Sequence, residues 1–515
     1  MQTGFSRYSA WPFFILVALQ IAAIPMIVPE PEISHHAPFS IVTQVCAFLI
    51  WILLIEAWYR LAGLEDCGAM IAVSGGCILL ILLVFGPSMP QVWMARFVPL
   101  VPYPLRAAAV AIHPVFLHPV VVDRIHEWRM KLTGKGWLLV ALVALPVAGW
   151  FLRSVQISRD GYECVEFVSQ DVWQGELREP LTILLHKVWA TWVMWAFPVN
   201  AEQALALLSC ALGVPVVYLL VRTVRIWAAE SGRDAWIPVG MALASGGFLL
   251  MWFGHIEVYP VLVAGMIAVC FLAARCLVER KSLIWLMLAY GLLLPFHLSA
   301  VWMLPAVIYV AVVAWRRDGV RPVVLAVLAL VLVEMLVWGG ICVGYYGGSV
   351  GAMVRQFWGE MNVGSDKAMF YGMGEMVSFS HLADFVQETL YLSCPAVLGI
   401  FVYLGCRSGI RWSPMEVFFG LGALGYAVYV FVWRADRGFP EDYDLFAPFA
   451  MLAALFVGMR LSVIEPQARR DRLAYLVIAA SLILLAYQFY VHTQLDTHVE
   501  YQRHLYQLRK MGLIR

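Results

Sequence analysis

The chain has 515 residues, 62% hydrophobic and only 13% charged, with 21 Trp and 21 Tyr. A soluble domain of this length cannot bury so much apolar surface, so an all-α integral membrane protein is expected. The net charge of +1, with no basic stripe, argues against nucleic acid as a partner.

Apolar segments of spanning length fall at about 11–29, 40–59, 67–86, 136–152, 202–221, 235–253, 258–274, 282–297, 299–315, 321–345, 386–405, 414–433, 445–461 and 473–491. They predict about 13–14 transmembrane helices. The first follows MQTGFSRYSA with no small-residue cleavage site, so it is expected to stay as a span rather than leave as a signal peptide. Phe97–Val122 is interrupted by Pro99, Pro102, Pro104, Pro114 and Pro119 and reads as an interfacial or broken segment. The ten cysteines are scattered, mostly in apolar runs, and no CxxC pair signals zinc or redox chemistry. The tail HVEYQRHLYQLRKMGLIR is amphipathic and basic, as an interfacial helix would be.

Lys and Arg placement orients the spans. Arg124, Arg129, Lys131 and Lys135 precede the span at 136, and Arg222, Arg225 and Arg233 follow the next one. Arg280 with Lys281, Arg316 with Arg317, Arg407 with Arg411, and Arg460 with Arg469 and Arg470 mark every second junction afterwards. The intervening junctions at 254–260 and 296–299 hold neither residue. The basic loops are therefore expected inside, and the stretch Ser158–Lys187 outside. For residues 1–135 both orientations stay open. The Lys- and Arg-free Pro29–Pro38 favours an outer loop, whereas Arg96 and Arg106 oppose the re-entry that this requires.

Five polar clusters then lie on the outer side. They are Ser158–Lys187, which packs ten ionisable groups into thirty residues; Gly254–Pro260 with His255, Glu257 and Tyr259; Phe296–His297; Gly347–Asp384 with His381; and Trp433–Pro448 with Arg437, Asp442 and Asp444. Ionisable groups beside apolar spans are costly unless they face water, a partner or a substrate, so an active site at the outer boundary is the economical reading. Asp160 follows an apolar span at head-group depth and could serve as general base; a solvated helix-end aspartate is the plainer alternative. Arg159, Arg178 and Arg437 could hold a lipid phosphate or merely snorkel. Glu257 sits in a turn that needs no carboxylate. Asp444 precedes an apolar helix and could be its N-cap. His297, taken alone, reads as structural. Asp160, Glu163, Glu257 and Asp444 are hard oxygen donors that would suit Mg or Mn; no fixed ligand spacing supports a metal site, so a divalent cation stays an open alternative and no other cofactor is implied. The absence of P-loop, GxGxxG and GxSxG motifs argues against a soluble nucleotide donor.

RDGYECVEF (159–167), REPLTILLHKVW (178–189), FGHIEVYP (253–260), FHLSAVWMLP (296–305) and EDYDLFAP (441–448), in this order, resemble the GT-C class of membrane glycosyltransferases. The pattern is most similar to the family of protein O-mannosyltransferases, aminoarabinose transferases and RgtA/B/C/D-like enzymes, and it covers roughly 137–450. The resemblance implies a polyprenyl-phosphate sugar donor, a lipid, glycan or protein acceptor at the outer face, and inversion at the anomeric carbon. It makes Asp160, Glu163 and Glu257 catalytic candidates, and Arg159, Arg178, Glu179, His186, His255, Tyr259, His297, His381, Arg437, Asp442 and Asp444 substrate-binding candidates. Two departures stand out. Relatives often carry an Asp-Glu pair where this chain has Asp160-Gly161, and a Lys where it has His297.

The implied organisation is an N-terminal transmembrane extension (1–135), a GT-C-like catalytic module (136–345) with its first outer loop at 153–200, an outer loop (346–385), C-terminal transmembrane helices (386–491) and an amphipathic tail (492–515). A bacterial inner membrane with a periplasmic or extracellular active site is the implied location. Two other readings stay open: a transporter or flippase of lipid-linked sugars, which would favour broken mid-span sites, and a polysaccharide polymerase or ligase.

Overall fold

The computed structural model describes residues 144, 146–153, 159–169, 177–361, 370–406, 411–433, 443–465 and 467–493. The expectations for residues 1–135, and for all but the first two residues of the 492–515 tail, lie outside these. The described residues are helical, with one isolated antiparallel bridge between Phe370 and Trp433. The chain divides into two compact units. One comprises Gly134–Ser393 and Ile410–Met459; the other comprises Met1–Thr133, Cys394–Gly409 and Arg460–Arg515.

The first unit contains α1 (Arg159–Ser169), α2 (Pro180–Ala196), α3 (Ala201–Ser231), α4 (Trp236–Leu243), α5 (Tyr259–Leu277), α6 (Leu283–Phe296), α7 (Leu304–Asp318), α8 (Val320–Tyr346), α9 (Val350–Met361) and α10 (Phe379–Leu392). After α11 (Cys394–Cys406) of the second unit it resumes with α12 (Pro414–Val432) and α13 (Ala447–Leu461), and the second unit ends its described part in α14 (Gln467–Thr493). Within the second unit α11 lies against α14, where Ser481 Oγ donates to Cys394 Sγ at 3.5 Å.

The helix ends carry the local chemistry that helices need. Asn200 accepts from Gln203 N–H at 2.8 Å while Gln203 reaches back to Asn200 N–H at 3.2 Å, a reciprocal cap that starts α3. Gly232 ends that helix in the left-handed conformation. Proline occupies the first turn of α2, α5 and α12, where its missing N–H costs nothing.

Among the described residues, six helical stretches are long and apolar enough to cross a membrane, including α3, α5, α8 and α12, so the chain is an integral, multi-pass membrane protein. Two expected spans are not continuous helices. The 235–253 segment stops after α4 and continues through Gly246–Leu249 and a 3-10 turn at Leu250–Trp252. The 386–405 segment divides between α10 and α11 because Pro395 cannot accept a helix running through it. The first break and the end of α10 meet: Ser245 Oγ donates to Leu392 C=O at 2.8 Å, satisfying a carbonyl that the end of α10 leaves open.

Candidate active site

Four separated segments converge at one end of the larger unit. The first is Arg178-Glu179, at the start of α2. Its backbone is tied to the turn after α6 by Leu298 N–H donating to Arg178 C=O at 2.8 Å. One turn on, Thr182 Oγ1 donates to Phe296 C=O at 2.6 Å. Trp189 Nε1 then fixes the other side of α2 by donating to Ala204 C=O of α3 at 2.7 Å. α2 is thus clamped at two points, to the end of α6 and to α3.

The second segment is the turn Gly254–Val258. Gly254 has φ +72°, and a Cβ there would lie 2.6 Å from Arg153 Cβ, so only glycine fits. The turn sends Ile256 into an apolar cluster with Cys164 and Val168 of α1, Ala190 of α2 and Ala204 of α3. His255 and Glu257, on either side of Ile256, are buried and lie next to Asp444, which stands just before α13. His255 Nε2 is 3.2 Å from Asp444 Oδ2 and 3.9 Å from Glu257 Oε2. Asp444 divides its two oxygens, since Oδ1 accepts its neighbour Leu445 N–H at 3.0 Å. Asp444 lies within the 3-10 turn Tyr443–Phe446 that leads into α13, and this bond stays within that turn rather than reaching α13. Burial holds the His255 pKa below its ordinary value, with Glu257 opposing that shift. The three side chains offer ligand atoms within 4.8 Å of one another.

The third segment is His297-Leu298-Ser299. Ser299 N–H lies 3.2 Å from His297 Nδ1 and its hydroxyl 2.8 Å from the same atom. With Nδ1 accepting the backbone N–H, the neutral ring carries its proton on Nε2. Burial, and then the nearby Arg178 guanidinium, push the His297 pKa down to about 3. Glu179 Oε2 lies 3.8 Å from Nε2. That approach is within ion-pair range, but a neutral imidazole makes no ion pair, and the distance is too long for a hydrogen bond. His297 is thus a neutral N–H donor.

The fourth wall is aromatic. Trp302, Phe370, Tyr429 and Trp433 close a cavity of about 230 Å³ whose polar lining is Arg178, Glu179, Glu257, Tyr259, His297, Ser299 and Asp444. The Tyr429 ring lies 5.8 Å from Trp302 and 5.3 Å from Trp433, and its hydroxyl is hydrogen-bonded to that of Tyr259. Gly425, one turn earlier on α12, touches the Trp302 carbonyl so closely that any side chain would displace it. Phe370 is held over the cavity by its bridge to Trp433, with Tyr371 N–H donating to Val432 C=O at 3.0 Å and the two rings edge to face at 5.6 Å.

Arg178, Glu179, Glu257, Tyr259, His297 and Asp444 were legible in the sequence and meet in this cavity. His255 and His186 stand behind it, lining a smaller void together with Glu257. His381 lies elsewhere: Nε2 donates to Phe431 C=O at 2.8 Å and the ring stacks near Tyr371, so it fastens α10 to α12. Asp160 and Arg159 belong to the first turn of α1, and Glu163 is half-buried on the same helix. The side chains of Arg159 and Asp160, and all of Arg437 and Asp442, lie outside the described residues. The aromatic wall was not singled out in the sequence, where Tyr429 and Trp433 recur at helical spacing in a chain with 14% aromatic residues.

No protein-family model matches the chain, and no curated protein matches it. Among solved structures, the crystal structure of ArnT from Cupriavidus metallidurans in the apo state is similar to it, with 16% sequence identity and a TM-score of 0.43. The similarity covers 65% of this chain and 62% of that one, so the chain spans less than two thirds of that protein's length.

Proposed function

We propose that the chain is a glycosyltransferase that moves one sugar from a polyprenyl-phosphate donor to an acceptor at the outer face of the membrane. The observation that carries this is the convergence of helix junctions remote in sequence on one small cavity with Arg178 and His297 beside three carboxylates. At about 230 Å³ it lies below the roughly 300–1,000 Å³ of drug-sized sites, which suits a single sugar rather than an oligosaccharide.

In this reading Arg178 receives the departing phosphate, for which a guanidinium offers two parallel donors. The neutral His297 Nε2–H donates to a phosphate or sugar oxygen without adding charge. Tyr429, Trp302 and Trp433 offer flat apolar faces to the sugar ring. A carboxylate takes the proton of the acceptor hydroxyl as it attacks the anomeric carbon from the side opposite the phosphate, which inverts that carbon. Asp160 is assigned this role on the resemblance of the RDGYECVEF stretch. The bilayer holds the lipid donor beside the site, so a high local concentration needs no deep binding from solution.

The test is transfer from a panel of polyprenyl-phosphate sugars by the purified chain in nanodiscs, with Asp160→Asn and Arg178→Ala alongside. Polyprenyl phosphate release by the parent, cut at least about 100-fold in a folded Asp160→Asn variant, supports transfer and base together. Full activity in Asp160→Asn moves the base to another carboxylate. Silence of the parent with every donor and acceptor overturns the proposal.

A further inference from the structure

We propose that His255, Glu257 and Asp444 form a binding site for one divalent transition-metal ion, of the manganese or zinc type, at the back of the cavity. The three residues come from two segments almost 190 positions apart, yet one nitrogen and two carboxylate oxygens sit within 4.8 Å of one another. All three side chains are buried. Metal–ligand distances near 2.0–2.2 Å place neighbouring donors about 3.0–3.6 Å apart. The His255–Asp444 separation of 3.2 Å already falls in that range, and the His255–Glu257 separation of 3.9 Å needs only a small closure.

Three further features favour a ligand over a simple hydrogen-bonded cluster. Asp444 Oδ1 is anchored by Leu445 N–H, which aims Oδ2 at His255 as an outer-shell bond orients a ligating carboxylate. Ile256, locked in the apolar cluster, fixes the backbone on both sides, so His255 and Glu257 are presented by a rigid turn. The independent observation is His186. It is buried on α2, its Nδ1 has no hydrogen-bond partner, and it lines the same void as His255 and Glu257. This unsatisfied, buried imidazole nitrogen beside His255 and Glu257 is a further polar group at the edge of the cluster. Mixed imidazole and carboxylate donors favour manganese or zinc over magnesium, which prefers oxygen alone. Glu257 and Asp444 also line the large cavity, so a coordination position on that side is open to substrate. Under the proposed function, which this role rests on, the ion would withdraw charge from an oxygen of the leaving phosphate.

The test separates binding from catalysis. Tag-free parent protein in nanodiscs is stripped with chelator, loaded with Mn(II) or Zn(II) in excess Mg(II), and its metal content is measured after dialysis. One ion per chain is expected, with Mn(II) spin-echo spectra showing coupling to an imidazole nitrogen. Glu257→Gln and Asp444→Asn should each weaken binding at least tenfold, His255→Gln should remove the nitrogen coupling, and the exposed Asp318→Asn should change nothing. A stripped and reloaded parent that retains no ion above buffer overturns the site, whatever any variant does. So does tight binding that survives all three substitutions. Because the readout is metal content, a negative result leaves the transfer reading standing, and binding without sugar transfer defeats that reading alone.

Discussion

Glu257 and Glu334 are both acids set among apolar helices, and they end up in opposite circumstances. Glu257 occupies a turn pinned by Gly254 and Ile256, buried beside His255 and Asp444 and opening on the cavity. Glu334 sits midway along α8, the least covered of the six spanning stretches, with 11% of its apolar window buried against 89% for Asp444–Leu461. Its Oε2 accepts from Trp338 Nε1, one turn away on the same helix, at 2.7 Å. Glu257 meets partners from across the fold, whereas Glu334 has its one hydrogen bond along its own helix and keeps Oε1 buried without a partner. Under the proposed function, distant segments meet Glu257, whereas the contact of Glu334 is local, one turn away on its own helix.

The largest effects should come from breaking the converged set. Glu257→Gln and Arg178→Ala are each expected to lower the turnover of lipid-donor assays by about 100-fold or more, the range seen when one preorganised electrostatic partner is removed. Normal turnover in either variant would put the chemistry elsewhere.

A middle-sized effect sharpens the comparison through pH. His297 has a folded pKa of about 3 against an unfolded value near 6.5. Between these values the unfolded chain binds a proton that the folded chain refuses, so stability falls as pH drops from about 6.5 towards 3 and is flat above. Thermal unfolding in detergent should show a lower midpoint at pH 5 than at pH 7.5, with a smaller difference in His297→Gln. An equal difference in both proteins would mean that His297 is not held neutral.

The smallest effect belongs to α8. Glu334→Gln keeps an acceptor for Trp338 and should leave turnover within about twofold and stability within about 0.5 kcal/mol, as for substitutions away from a structural network. A large loss of turnover there would revive the transport reading, which needs mid-span charge.

Much of this was legible in the sequence because the pattern is coarse. Spans at 258–274, 321–345 and 414–433 reappear as α5, α8 and α12 within a few residues, since uninterrupted apolar runs of this length have few alternatives. The breaks at Ser245 and Ser393 were missed because hydropathy is blind to where a backbone carbonyl finds a donor, and here the donor lies almost 150 residues away. In the site, Glu257 stood out as an acid at a junction with no Lys or Arg and Asp444 as an acid just before an apolar helix, but their meeting at His255 is a tertiary fact that no spacing encodes. His381 drew notice for the same reason as His297, and its role is a fastening between helices. The aromatic wall stayed hidden among the 21 Trp and 21 Tyr of a chain in which such residues are common everywhere.

The most direct measurement is photo-crosslinking with a polyprenyl-phosphate sugar analogue that carries a diazirine on the sugar, followed by peptide mapping of the chain in nanodiscs. Labels on Trp302, Tyr429 or Trp433, competed away by the unmodified donor and lost in Arg178→Ala, are the predicted result. Competable labelling confined to other surfaces, with the cavity untouched, would contradict the account.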